Sequence, residues 1–253
     1  MIDSHAHYDD KAFDEDRDQI ISTVFESGIR KVINVGASMR SCRETIKLSE
    51  EYESMYAAIG VHPSDTAELT EEDMNWLKEK SSLKKVVAIG EIGLDYYWDE
   101  PDREIQKKWF RRQLELAKEV SLPVVIHSRE AAADTIAIMK ESGAGEIEGV
   151  IHCYSYTKET AREFLEMGYS FGIGGVLTFK NAKKLKEAVA YIPMDRILLE
   201  TDCPYLAPEP NRGKRNSSLY IPSIVAVMAQ IKGLSEEEVI RITSENTERL
   251  FHI

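Results

Sequence analysis

The chain has 253 residues, and 32 Lys and Arg stand against 44 Asp and Glu, a formal net charge of −12. With 43% hydrophobic and 30% charged residues it is globular rather than disordered in composition, and its longest apolar runs, such as Leu122 to Ile126, are too short to span a membrane. The acidic balance excludes a high-affinity nucleic-acid coat protein, which carries a basic footprint, but not a nuclease with a small local basic site.

The chain opens on Met1-Ile2-Asp3-Ser4-His5-Ala6-His7. It has neither the basic n-region nor the apolar h-region of a secretory signal, and its first four residues read as a strand. Helical character follows over Asp14–Ser27, then a strand at Lys31–Val35, a helix at Ser41–Tyr52 and a strand at Met55–Gly60. Thr70 with Asp73 forms a capping-box signature opening a helix over Glu71–Ser81. The alternation continues with a strand at Lys85–Ile89, a helix at Arg103–Val120, a strand at Leu122–Ile126, a helix at Ala131–Ser142 and a strand at Gly149–Ile151. After a helix at Lys158–Met167 come a strand at Tyr169–Gly172, a helix at Ala182–Tyr191 and an eighth strand at Arg196–Leu199. Two more helices, about Pro222–Ile231 and Glu236–Thr243, close the chain, the second opened by Ser235 with Glu238. Strands alternating with helices indicate parallel βαβ units. Eight of them in this length predict an α/β fold, a single (β/α)8 TIM barrel domain over residues 1–253. An open doubly wound sheet is the alternative, but no G-x-G-x-x-G follows the first strand. The longest predicted loop, Cys203–Ser218, is of a length that is often functional.

Five of the six histidines fall at the C-terminal end of a predicted strand or just beyond it: His5 and His7, His62, His127 and His152. Glu91 and Asp202 join them, after the fourth and eighth strands. In a barrel these ends converge on one face, where catalytic loops lie. His5 and His7 are two residues apart, so both imidazoles point to one side of a strand and can chelate one metal. Glu91 stands in Gly90-Glu91-Ile92-Gly93, where the glycines permit close backbone approach, and its two oxygens can bridge two cations. Asp95 is a nearby candidate, and Glu200, two residues before Asp202, is oriented toward the same space. The expected division places His5, His7, Glu91 and Asp202 at one metal and Glu91, His127 and His152 at the other. Asp202 would also orient or deprotonate the attacking water, which makes Asp202 and Glu91 the catalytic pair. Imidazole and carboxylate without thiolate suit Zn, Mn or a mixed site better than a purely oxygen-ligated Mg site. Cys153 and Cys203, each next to a ligand, are expected to face away from the metals. An odd count of three cysteines fits a reducing compartment and a cytoplasmic location. Arg129, two residues past His127, suits bidentate phosphate binding, and Lys180, Arg212, Lys214 and Arg215 fall in loops of the same face. His62 and Tyr154 complete the expected substrate-binding set.

The sequence resembles the TatD family of metal-dependent deoxyribonucleases over nearly its whole length. The resemblance is carried by Ile2-Asp3-Ser4-His5-Ala6-His7, Gly60-Val61-His62-Pro63, Gly90-Glu91-Ile92-Gly93-Leu94-Asp95, Val125-Ile126-His127-Ser128-Arg129, Ile151-His152-Cys153, the run from Glu200 to Pro208, and Gly213-Lys214-Arg215-Asn216. It implies a TIM-barrel hydrolase using two divalent ions (Zn, Mg or Mn) on phosphodiesters, a 3′→5′ exonuclease on DNA, with RNA as the second polymer to test. No membrane partner is expected, and a monomer is favoured. Three departures bear on substrate choice: Ser64 after Gly-Val-His-Pro, Tyr156 after Ser155, and Ser217-Ser218 after Gly-Lys-Arg-Asn. One rival is a hydrolase of another ester or amide, amidohydrolase-like or a D-aminoacyl-tRNA deacylase. A bridging Glu91 where amidohydrolases often carry a carbamylated lysine disfavours the amidohydrolase branch. A non-catalytic metal-binding module is the rival of a different class, and it predicts missing ligands, whereas every ligand position is filled.

Overall fold

The structure, a computed structural model, describes residues 1–98 and 100–253. Eight parallel strands form one sheet in sequential order: β1 (Ile2–Ala6), β2 (Lys31–Val35), β3 (Met55–Ile59), β4 (Val86–Asp95), β5 (Val124–Arg129), β6 (Gly149–Ile151), β7 (Ser170–Ile173) and β8 (Ile197–Leu199). Helices α1 (Arg17–Glu26), α2 (Met39–Glu51), α3 (Glu71–Lys80), α4 (Arg103–Val120), α5 (Ala132–Glu141), α6 (Lys158–Glu166) and α7 (Lys183–Tyr191) fill the crossovers, and α8 (Ile221–Lys232) and α9 (Glu236–Phe251) follow β8. This is the (β/α)8 barrel that the alternation predicts. Among the described residues no single helix is long and apolar enough to cross a membrane.

The ring closes where β1 meets β8 and the segment beyond it. Ser4 donates to the Leu199 carbonyl, the Thr201 and Asp202 N–H groups donate to the His5 carbonyl, and the His7 N–H donates to the Cys203 carbonyl. The fully buried Asp3 carboxylate pins the seam, accepting from the His5 and Thr201 N–H groups and from the Thr201 and Ser218 hydroxyls. Strand alternation divides the core. Val32, Ala57 and Ile89 pack in the larger layer beneath the helices, while Ile33, Ala58, Val125, Val150 and Leu198 form a smaller cluster with Leu250 and Phe251 of α9.

The two boundaries that differ most from the sequence-based expectation are the ends of β4 and α9. Strand β4 runs six residues past Ile89, through both glycines, to Asp95. The glycines, which ordinarily weaken a strand, are here what lets β5 lie close: a Cβ on Gly93, at φ +145, would sit 1.9 Å from the His127 carbonyl oxygen. Helix α9 runs to Phe251 rather than Thr243. Its buried stripe is completed by Asn246 and Thr247, polar residues that apolar periodicity does not register, and Asn246 donates to the Met194 and Ile197 carbonyls.

Candidate metal centre

His5 lies within β1 and His7 one residue beyond it, and their Nε2 atoms meet at 3.0 Å, as two-residue spacing along a strand requires. The turn after β8 delivers Asp202, which holds φ +58, a left-handed conformation uncommon outside glycine and concentrated at functional sites. Its Oδ1 is 3.3 Å from His7 Nε2 and 3.7 Å from His5 Nε2. Glu91, inside β4 rather than after it, divides its carboxylate. Oε2 lies 3.5 Å from His5 Nε2 and 3.7 Å from His7 Nε2, while Oε1 lies 2.8 Å from both His127 Nδ1 and His152 Nε2. Among the described residues four overlapping donor groups result, and two of them face the divided carboxylate as the sequence leads one to expect: His5, His7 and Asp202 on one side, and Glu91, His127 and His152 on the other; the other two are His5, His152 and Glu200, and His62, Asp95 and His127.

The hydrogen-bond network assigns the imidazole tautomers. His7 Nδ1 is 2.7 Å from the Val35 carbonyl, which can only accept, so Nδ1 carries the hydrogen and Nε2 turns a lone pair toward Asp202 and Glu91. His127 Nε2 is 3.0 Å from Asp95 Oδ2, so Nδ1 turns its lone pair toward Glu91. Lone pairs aimed at carboxylate oxygens repel unless a cation lies between them. Ligand imidazoles anchored through the far nitrogen to a carbonyl or carboxylate are the usual support of a metal site. Without a metal the same space draws protons. Burial opposes a charge on His7, yet Asp202 and Glu91 outweigh it and push the pKa up to about 9. His152 behaves alike, with burial overcome by Glu91 and Glu200. Glu91, despite burial, is held well below the usual carboxylate range by His152, His127 and His5. A site that takes protons when empty gives them up to a divalent ion, so these residues fit the cations that the sequence implies.

Glu200 supports this centre from behind. It is 1% exposed, its Oε1 accepts from the Cys153 N–H at 2.6 Å and lies 3.7 Å from His152 Nδ1. Gly172 makes the room, since a Cβ there would fall 1.9 Å from Glu200 Oε2. His5 stacks on His152, ring centroids 3.9 Å apart.

His62 differs from the ligand imidazoles. Its Nδ1 accepts from the Ser64 N–H at 3.2 Å, with the Ser64 hydroxyl 2.7 Å away, so Nε2 carries the hydrogen and faces inward, 3.8 Å from Glu91 Oε1. Burial, with His127 beside it, pushes its pKa down to about 3. His62 is therefore a neutral donor at neutral pH, and Ser64, one of the sequence departures, fixes that tautomer.

All of this opens into a cavity of about 860 Å³ lined by His7, His62, Glu91, His127, His152 and Asp202 together with Arg129. Sequence reasoning missed several lining residues: Lys11 after β1, Arg40 and Ser41 from the first turn of α2, Trp98 after β4, and Tyr205 and Leu206 after β8. The aromatic run Tyr96-Tyr97-Trp98 directly after a strand carrying Glu91 was the available signal.

Several expected substrate contacts are not brought to the cavity. Tyr154 is 2% exposed and donates its hydroxyl to the Thr157 carbonyl. Arg215 pairs with Asp16 at 2.6 Å and lies over the Phe13 ring, and Lys214 turns to the Asn211 side chain. Arg212 lies over Phe179, and Lys180 is absent from the lining. Tyr156 and Ser218 are braces rather than substrate contacts: the Tyr156 hydroxyl accepts from Ala131 N–H beside Ser128, and Ser218 donates to Asp3. Strand alternation does not govern Cys153, because β6 has ended at Ile151 and Cys153 holds φ +46; burial, then the charges of Asp202, Glu200 and Glu91, push its thiol pKa up.

The family model described as TatD related DNase matches residues 2–252. The chain is 46% identical, over all of its length and 99% of the relative's, to an uncharacterized metal-dependent hydrolase, YabD, of Bacillus subtilis. It is 34% identical over its full length, and 96% of the relative's, to YcfH of Escherichia coli, similarly named. The crystal structure of YjjV, a TatD homologue from E. coli, superposes with a TM-score of 0.94 at 30% identity, covering 100% of this chain and 98% of that one. A barrel whose strand ends gather metal-ligand side chains, and a match that spans the chain, lead to one conclusion: this chain belongs to the TatD family of metal-dependent hydrolases.

Proposed function

We propose that the chain hydrolyses phosphodiester bonds in nucleic acid, as a deoxyribonuclease working from the 3′ end, with two divalent cations bridged by Glu91. The observation that carries this reading is the divided Glu91 carboxylate, each oxygen facing its own cluster of imidazoles. His5, His7 and Asp202 would hold one cation and His127 and His152 the other. When bound, such ions polarise a phosphoryl oxygen and make water a competent nucleophile near neutral pH.

The residues of the chain supply the rest. Asp202, held ionised by His7 and its neighbouring imidazoles against burial, accepts the proton of the attacking water. His62, neutral, donates a hydrogen bond from Nε2–H to a phosphate or leaving oxygen without giving up the proton. Arg129, with Lys11 and Arg40 in the lining of the same cavity, meets the flanking phosphates. Asp9 and Asp10, acids in that lining, are engaged by Asn34 and Ser41 and by the Tyr205 hydroxyl respectively. All three cysteines are free, which suits a reducing, cytoplasmic setting.

The test is end-labelled single-stranded DNA and RNA incubated with the protein, with chelator or with added Mg, Mn or Zn. A metal-dependent ladder receding from the 3′ end of DNA is expected. No cleavage of either polymer, with turnover of a simple lactone or amide, would move the assignment to another branch of metal hydrolases.

A further inference from the structure

Among the described residues only six large apolar side chains are exposed, and four of them are Tyr97, Trp98, Tyr205 and Leu206. Trp98, Tyr205 and Leu206 line the cavity over the metal centre, and Tyr97 adjoins Trp98. Burial would stabilise an indole, so one left 65% exposed at the mouth of a functional cavity marks a binding surface.

The local arrangement is ordered. The Tyr97 and Trp98 rings meet nearly perpendicular, 5.0 Å between centroids, and the Arg129 guanidinium covers a Tyr97 face at 3.9 Å. Asp95 holds the turn from below, its Oδ1 accepting from the Tyr97 and Trp98 N–H groups while its Oδ2 accepts from His127. One carboxylate therefore ties the aromatic turn to a ligand of the candidate metal centre. Opposite, the Tyr205 ring lies 6.4 Å from the His7 ring.

We propose that Trp98, braced by Tyr97 and Arg129, is a base-stacking platform, and that the enzyme recognises an unstacked nucleobase next to the phosphate it cleaves. This rests on the phosphodiesterase reading above. The polar features of the cavity, the cations and imidazoles, recognise the backbone that every nucleotide shares. The indole adds a flat, sequence-tolerant surface that only a free base can use. Base-paired residues are already stacked and offer no face to it, so Trp98 makes the accessible base, rather than its identity, the selected feature.

The test compares a thymidine oligomer with a phosphodiester oligomer of equal length carrying tetrahydrofuran units in place of every nucleoside. Charge and backbone are matched, and only the bases differ. The wild-type enzyme, loaded with metal, is expected to show a KM about tenfold lower for the thymidine oligomer. Trp98→Ala should bring the ratio of the two KM values to about one, and Trp98→Phe should retain most of it. Tyr191→Ala, an exposed aromatic outside the cavity, should leave the ratio unchanged. Equal KM values in the wild type, or a Trp98→Ala variant that keeps the ratio, would overturn the platform while leaving the phosphodiesterase intact. Cleavage of neither oligomer would overturn the phosphodiesterase reading, and the platform with it.

Discussion

Each histidine of the centre is defined less by its position than by which nitrogen is free. His7 and His127 are anchored from behind and turn lone pairs inward, whereas His62 is anchored by Ser64 and turns a hydrogen inward. The sequence made the cluster legible because histidine is rare in this chain and its placement at strand ends is fixed by the barrel. It could not separate ligand from donor, since that depends on a carbonyl or hydroxyl brought in from another segment. Loop residues were less legible still. Lys214 and Arg215 lie in a predicted functional loop, yet Asn211 and Asp16 hold them elsewhere, while Lys11, after β1, and Arg40, in the first turn of α2, reach the cavity from segments that carried no signal. At this scale the sharpest prediction concerns Asp202. Asp202→Asn keeps the shape but removes the proton acceptor, so kcat on DNA should fall about 100-fold or more at saturating metal. A kcat within twofold of wild type would remove Asp202 from that role.

Among the elements, β4 does most to assemble the centre. It carries Glu91 and Asp95 in one strand that runs on past the predicted end, and both glycines belong to the strand rather than to a turn. Residue pattern alone reads glycine as a boundary. Only the approach of β5 shows that Gly93 makes room for the His127 backbone. Gly93→Ala should therefore destabilise the protein by about 3 kcal/mol, through steric overlap and a positive φ, lowering Tm by roughly 10 °C. A thermal melt within a degree or two of wild type would show that β4 and β5 can separate without cost. The strand order and the alternation of helices were legible from periodicity, because parallel strands buried on both faces read as short continuous apolar runs. The end of α9 was not, because threonine and asparagine complete its buried face.

For the whole molecule, the net charge of −12 leaves no broad basic surface to hold the proposed nucleic-acid substrate. On that proposal, attraction would be concentrated at the candidate metal centre and three cavity cations, giving weak, salt-sensitive binding suited to turnover. The same concentration of charge makes stability depend on pH in a way that metal abolishes. In the metal-free protein His7 titrates at about 9 against 6.5 for an unperturbed histidine, and His127 and His152 are raised as well. The folded state thus binds more protons at these histidines than the unfolded chain between these values, so their contribution to stability is full below about pH 6.5 and is lost as pH rises through about 9. His5 and His62 are shifted downward and act only below that window. In chelator, Tm should fall between pH 6.5 and 9, while with metal bound it should not, because those imidazoles then have no proton to lose. A chelated protein whose Tm is constant or rises over this range would contradict the account. The most direct test of the centre itself is elemental analysis of protein purified in the presence of divalent metal. Two equivalents per chain are expected for the wild type, falling to one or fewer in a Glu91→Ala variant with unchanged circular dichroism. A single equivalent in the wild type, or two retained in Glu91→Ala, would show that Glu91 does not bridge a pair of cations.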